Sequence, residues 1–255
     1  MVEITGKNNT MIRIVCVSDT HSLHDQMLHN IPEGDILIHS GDCTNKGIPR
    51  EIEEFVNWYK SLKGFKNKIF IAGNHDFGFE SLSDSRDKNI IDWYKNLLNK
   101  EKLLEYNVHY LQDSGITLDL GFSRPLKIWG SPWQPEFFNW AFNLPRLGSE
   151  LKEKWNLIPD DTNILVTHGP AKGILDLAPK NLKVGCELLR LRINEIKPLL
   201  HVFGHIHLSY GVTKEYDTMF ANASICTEKY RPSNQPLVFD VFEENEKLIV
   251  TNVKS

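Results

Sequence analysis

No run in this 255-residue sequence is both long and apolar enough to cross a bilayer, and no Lys- or Arg-rich tract offers the basic footprint that loose binding to long nucleic acid requires. Net charge is −4. A small anionic substrate held by metal ions is compatible with that balance; an extended nucleic acid and a membrane are not expected partners. Met1–Thr10 is polar and lacks the apolar stretch of about 7–15 residues that marks a signal peptide. Cysteine is scarce: Cys16, Cys43, Cys186 and Cys226 stand apart, with no Cys-x-x-Cys spacing for zinc or redox work. These absences favour buried free thiols and a reducing, cytoplasmic setting. Repeats, low-complexity tracts and linker-like stretches are also missing, so a single domain over 1–255, with its core at roughly 11–253, is expected.

What is present is a globular balance of 41% hydrophobic and 24% charged residues, sufficient for a core without disulfide staples. Residues 11–18 (MIRIVCVS), 35–40 (DILIHS) and 67–72 (NKIFIA) are apolar runs of strand length. A short helix is expected within 22–30. Pro49 opens a helical pattern to about Lys63, with Ile52, Phe55, Val56 and Tyr59 on one face. This alternation predicts an α/β fold with a largely parallel sheet. Farther on, the pattern predicts helices over 89–99, 148–156 and 184–197. Strands 108–111 and 116–120 read as a hairpin through Gln112-Asp113-Ser114-Gly115. Strands 126–130, 163–167 and 199–203 follow, with a long aromatic loop over 131–146. Four strands (210–215, 218–223, 236–242 and 247–253) fill the tail.

Five short polar blocks stand at or just beyond the ends of apolar runs: Asp19-Thr20-His21, Gly41-Asp42, Gly73-Asn74-His75-Asp76, Thr167-His168-Gly169 and Gly204-His205-Ile206-His207. A lone Asp-x-His or Gly-Asp is most often just a turn. Together they supply nitrogen and oxygen ligands enough for two adjacent metal ions. On an extended segment residues two apart point the same way, so Asp19 with His21, and His205 with His207, could each grip one ion. Asp42 has two oxygens and can bridge. Loops from one edge of a sheet converge, which brings such distant positions together. Several carboxylates and imidazoles in one crevice are unfavourable unless cations pair them.

The set resembles the calcineurin-like binuclear metallophosphoesterases, whose pattern runs D-x-H, G-D, G-N-H-[DE], a later His, then G-H-x-H. The resemblance covers about residues 11–225. It implies a four-layer α/β/β/α sandwich of two mixed sheets flanked by helices. It implies one divalent ion held by Asp19, His21, Asp42 and His207, and a second held by Asp42, Asn74, His168 and His205. His75 then lies near the leaving group as an acid or transition-state stabiliser, with Asp76 orienting it. Asn45 stands where purple acid phosphatases carry a Tyr ligand, and Asn45-Lys46-Gly47 does not match the Asp-Arg-Gly of the Ser/Thr phosphatases. The spacing is similar to class III cyclic-nucleotide phosphodiesterases. Segments such as Tyr110–Ser114, Phe142–Arg146, Lys154–Pro159 and Asn222-Ala223-Ser224 resemble the metallophosphoesterase-domain-containing group. One mammalian member of that group has Gly where His205 stands; this chain keeps the His, which implies full two-metal activity. Asp76 replaces that group's usual Glu.

The reaction so implied is hydrolysis of small phosphoesters, such as 2′,3′- or 3′,5′-cyclic nucleotides, by a metal-bridging hydroxide, with Mn²⁺, Fe, Zn²⁺ or Co²⁺ as suitable ions. The alternatives are a low-turnover nucleotide-binding or scaffold protein, and a nuclease or phosphatase on another phosphoester. Trp133 and Arg146 are candidate substrate contacts, although aromatics plugging the 131–146 loop onto the core, and a surface Arg, are the plainer readings. His24, His29, His39, His109 and His201 read as satisfied structural histidines, and Cys43 as packing.

Overall fold

A computed structural model describes residues 10–81 and 86–253. The polar stretch read at Met1–Thr10 lies, apart from Thr10, outside them. The chain opens with β1 (Met11–Val17), β2 (Ile36–Ser40), α1 (Pro49–Ser61) and β3 (Asn67–Ile71). Then come α2 (Phe77–Ser81), α3 (Lys88–Leu97), α4 (Lys100–Leu104), β4 (Val108–Tyr110), β5 (Ser114–Leu118) and β6 (Leu126–Ser131). The two-residue strands β7 (Gln134–Pro135) and β8 (Asn143–Leu144) lie in the aromatic loop. They are followed by α5 (Ser149–Asn156), β9 (Ile164–Thr167), the short pair β10 (Leu177–Ala178) and β11 (Leu182–Lys183), α6 (Glu187–Ile196) and β12 (Leu200–Phe203). The tail is β13 (Gly211–Glu215), β14 (Thr218–Asn222), β15 (Leu237–Glu244) and β16 (Lys247–Val253).

Side chains alternate between the two faces of each central strand, and each face has its own partner. Ile14, Cys16, Ile36, Ile38, Ile69 and Ile71 face Ile164, Val166, Leu200 and Val202 across one inter-sheet core. Their neighbours Val15, Leu37 and Phe70 turn the other way, onto Phe55, Val56 and Tyr59 of α1. Leu165, Phe203 and Phe220 turn onto Leu151 and Trp155 of α5 and Leu189 and Ile193 of α6. The result is the expected four layers, helix, sheet, sheet, helix. One sheet runs β16-β15-β1-β2-β3-β4 and the other β13-β14-β12-β9-β6-β5. Both are mixed: β1 to β4 are parallel, as are β14, β12, β9 and β6, while β15, β16, β13 and β5 pair antiparallel.

Pro49 occupies the first turn of α1, where a missing N–H is harmless. At its far end the Lys68 ammonium donates to the carbonyls of Lys60 and Leu62, both at 2.9 Å, satisfying groups the helix leaves open. Two sequence expectations change. Residues 22–30 form only a 3₁₀ turn, His24–Gln26. Strands 108–111 and 116–120 do not make a hairpin: β4 pairs in parallel with β3, whereas β5 pairs with β6 in the other sheet. The turn residue Asp113 instead carries the chain between sheets. Its carboxylate accepts from Ser131 Oγ, Trp133 Nε1 and Lys154 Nζ.

The sheets approach closely at Gly130 in β6, where an added Cβ would lie 2.6 Å from Leu111 Cβ and 2.7 Å from Ile71 Cγ2. Gly130→Ala is therefore expected to destabilise the fold by about 1–3 kcal/mol through overpacking, read as a lower midpoint in urea unfolding. An unchanged midpoint would show that the sheets separate freely here.

Candidate metal centre

All five polar blocks lie at the C-terminal ends of parallel strands, three from one sheet and two from the other. A parallel bridge between Ser18 and Ser224 lies at the same end. Asp19, His21, Asp42 and His205 all have left-handed backbone, with φ of 52°, 44°, 52° and 66°. Such strain in residues other than glycine gathers where side chains must be aimed. It also corrects one expectation. Asp19 and His21 do not project from an extended segment; a tight turn brings them together. His205 and His207 likewise serve different groupings.

Three groupings of side chains could hold a cation, each with its ligand atoms within 4.8 Å of one another: Asp19, His21 and His207; His21, Asp42 and His75; and Asp42, His168 and His205. Asp42 belongs to two of them and turns one oxygen each way. Its Oδ2 is 3.8 Å from His21 Nε2, and its Oδ1 is 3.3 Å from His168 Nε2. Asn74 Oδ1 lies 2.9 Å from His168 Nε2. All seven residues expected as ligands thus converge. Gly204 makes part of this possible: a Cβ there would overlap Asp19 Oδ2.

Hydrogen bonding tests whether cations suit the site. His168 Nδ1 is 3.0 Å from the Ser40 carbonyl, so that nitrogen carries the proton. Its Nε2 then faces two oxygens, of Asn74 and Asp42. His207 repeats this, with Nδ1 3.1 Å from the Thr227 carbonyl and Nε2 3.2 Å from both Asp19 Oδ1 and His21 Nε2. Lone pairs aimed at one another in this way need a proton or a metal between them. Divalent cations therefore fit, and the nitrogen and oxygen donors, with no thiolate, suit Mn²⁺, Fe, Zn²⁺ or Co²⁺ without selecting one.

The charges follow. Burial opposes ionisation of Asp19, but the His207 hydrogen bond and surrounding imidazoles outweigh it and hold the carboxyl well below its usual range. Asp42 is likewise held low against burial, chiefly by His168. Burial alone would lower His168; Asp42 and then Asp19 push it up to about 9. His207 is raised by Asp19 against burial. His21 and His205 are pulled down, chiefly by burial, to about 4 and about 3.

Asp76 is not placed as expected. Its carboxylate accepts from the backbone N–H groups of Gly73, Cys43 and Thr44 and from the Thr44 hydroxyl, locking two of the blocks together. It makes no bond to His75. The main-chain donors flanking both loops outcompete one imidazole. His75 Nδ1 pairs instead with the Asn45 carbonyl at 2.8 Å, its main-chain N–H donates to Asp42 Oδ1, and Trp140 lies against its ring at 4.1 Å.

The substrate expectations also shift. Trp133 spends its Nε1 on Asp113, packs on Phe142 and lies under Lys154, away from the cavity. Arg146 does line the cavity, but its guanidinium donates to Val184 O, Gly185 O and Glu187. That cavity, about 330 Å³, is lined by Asp42, Asn74, His75, His205 and His207 together with Phe137 and Tyr230. A larger hollow of about 960 Å³, around Lys127, Asp161 and Glu243, contains none of the five blocks. His39 and His201 are buried and bonded to Thr20 and Thr167 within two of the blocks, although His201 is only half satisfied, its Nδ1 having no partner among the described residues. Ser224, whose hydroxyl donates to Asp19 Oδ2, and Tyr230 are additions from the tail.

Comparison with known proteins agrees with this geometry. The profile of the family described as calcineurin-like phosphoesterase matches residues 12–209. The human protein "Metallophosphoesterase domain-containing protein 1" is 47% identical over 243 residues, covering 90% of this chain and 71% of that one. The Caenorhabditis elegans protein "UPF0046 protein C25E10.12" is 38% identical over 235 residues, covering 90% and 81%. The solved structure of TT1561 from Thermus thermophilus shares the fold, with a TM-score of 0.54 and 14% identity over 96% of this chain and 100% of that one. This chain belongs to the calcineurin-like phosphoesterase family. Its activity class is that of a metal-dependent phosphoric ester hydrolase. Among the described residues, no helix is long and apolar enough to cross a membrane.

The protonation pattern and the close approach at Gly204 can each be tested. A cation must displace the proton that His168 holds up to about pH 9, so binding of Mn²⁺ should release protons and tighten from pH 6 to pH 8. The expected slope is about tenfold per pH unit for each proton displaced, measured by calorimetry in buffers of different ionisation enthalpy; a flat profile would contradict it. Gly204→Ala should displace Asp19 and lower bound metal, measured by elemental analysis.

Proposed function

We propose that this chain is a binuclear phosphodiesterase for small phosphoesters, 2′,3′- or 3′,5′-cyclic nucleotides among them. Asp19, His21, Asp42 and His207 hold one ion, and Asp42, Asn74, His168 and His205 the other. The observation that carries the reading is Asp42, buried between the groupings with one oxygen toward each. Two divalent cations at such a site supply positive charge for the phosphoryl oxygens and a water acidic enough to attack near neutral pH.

The chain's own groups do the rest. The Asn45 carbonyl takes the proton on His75 Nδ1, so the imidazolium form, in which both nitrogens carry protons, would present Nε2–H to the leaving alkoxide and return to the neutral ring as it gives that proton up. Trp140 lies against the imidazole and keeps its plane. Asp76 holds the Asp42 and Asn74 loops in register through four accepted hydrogen bonds. The cavity volume suits a nucleotide-sized ligand, since small-molecule sites begin at about 300 Å³. No long basic groove is needed for such a substrate, in keeping with the net charge of −4. One domain carries these functions.

Asp42→Asn is expected to lose both metal and rate. His75→Ala is expected to keep its metal and lose about 10²–10⁴-fold in kcat. Metal content by elemental analysis, with turnover of bis-(p-nitrophenyl) phosphate, the corresponding monoester, cyclic nucleotides and single-stranded nucleic acid, separates the two. Equal metal loss in both variants would refute this division of roles. A protein with two bound metals and no turnover of any diester would refute the function.

A further inference from the structure

Beyond the last of the five blocks the chain returns to the site once more. Residues 227–230 form a turn in which the Tyr230 N–H donates to the Thr227 carbonyl at 2.8 Å. The same carbonyl receives His207 Nδ1. The turn is therefore anchored on one of the candidate ligands, and a bridge between Cys226 and Pro232 closes its base. Tyr230 itself is left-handed, with φ of 53°. Left-handed backbone is uncommon for an aromatic residue, and here the turn sets it.

The turn folds the ring over the site. Its centroid is 4.9 Å from His21, 5.4 Å from His207 and 6.4 Å from His75. It lines the same cavity as Asp42, His75 and His205. The residue is 47% exposed, and among the described residues no hydrogen bond engages its hydroxyl, which is therefore free to meet a ligand. The cationic donor on this cavity wall is differently placed, because Arg146 is committed to two carbonyls and Glu187. The ring thus stands beside three imidazoles on the wall of the cavity that would receive the phosphoryl group.

We propose that Tyr230 is a catalytic residue of this site, its phenol donating a hydrogen bond to a non-bridging phosphoryl oxygen of the bound phosphoester. The proposal rests on the phosphodiesterase reading above. It assigns the ring the wall on the His21 and His207 side, and the hydroxyl the recognition of phosphoryl oxygen whatever the leaving group.

The test compares the wild type with Tyr230→Phe, which keeps the ring, and Tyr230→Leu, which removes it, in Mn²⁺-loaded protein. Tyr230→Phe should retain metal content and melting temperature while weakening orthovanadate binding, measured by calorimetry, about tenfold. It should lower kcat by about tenfold or more, equally for aryl and alkyl diesters. Tyr230→Leu should match or exceed that loss. Orthovanadate binding equal to wild type in Tyr230→Phe overturns the proposal, as does a loss confined to one leaving group. The vanadate measurement needs no turnover. A wild type inactive on every diester would therefore refute the proposed function while the role of Tyr230 is still decided.

Discussion

Two carboxylates dictate the arrangement of everything near them. Asp19 and Asp42 are 0% and 2% exposed at one end of an apolar sandwich. Burying an ion in this way costs several kcal/mol unless charge and hydrogen bonds answer it. Asp19 takes the His205 N–H, the Ser224 hydroxyl and His207 Nε2. Asp42 takes the His75 N–H and faces His168 and His21. Each of the five blocks is thereby tied to one carboxylate or the other. Because His168 and His207 spend their Nδ1 atoms on carbonyls, their Nε2 atoms can answer the carboxylates only as imidazolium or through a cation. The donor geometry therefore suits cations, which would take the place of the Nε2 protons.

The central strands are legible in the sequence because both faces of each are largely buried, giving apolar runs such as Ile14–Val17 and Ile164–Val166. Pairing is less legible because it is non-local. Val108–Tyr110 and Ser114–Leu118 are neighbours separated by turn residues, which suits a hairpin, yet they complete opposite sheets. Leu111 packs in the inter-sheet core, and the chain crosses there. No local pattern distinguishes a turn that reverses a strand from one that hands it to another layer.

The site shows the same division. Ligand types and their order are written in the sequence, because Asp, Asn and His advertise their chemistry. The groups that position them do not. Asp76 is satisfied largely by main-chain N–H groups and His75 by a main-chain carbonyl, and neither carries a residue signature. The aromatics are alike in sequence and differ only in space: Trp133 is bound to Asp113, Trp140 lies on His75, and Tyr230 comes over the site from the tail. Left-handed backbone at Asp19, Asp42 and His205 is equally silent in the sequence, since none is glycine.

A last consequence concerns the core. Each candidate cation grouping that includes His168, His205 or His207 draws ligands from both sheets: Asp19 and His21 meet His207 across the interface, and Asp42 meets His168 and His205. The spacing of the sheets therefore sets the spacing of the ligands. Apolar side chains such as Ile38, Ile71, Val166 and Val202 fill that interface, and close packing transmits a change of even one methylene. His39 and His201 strengthen the link, for each is buried within a strand and hydrogen-bonds a threonine of one of the blocks, Thr20 or Thr167. The inter-sheet core thus sets the spacing of the candidate ligands, so a substitution there is expected to reach ligand geometry as well as stability.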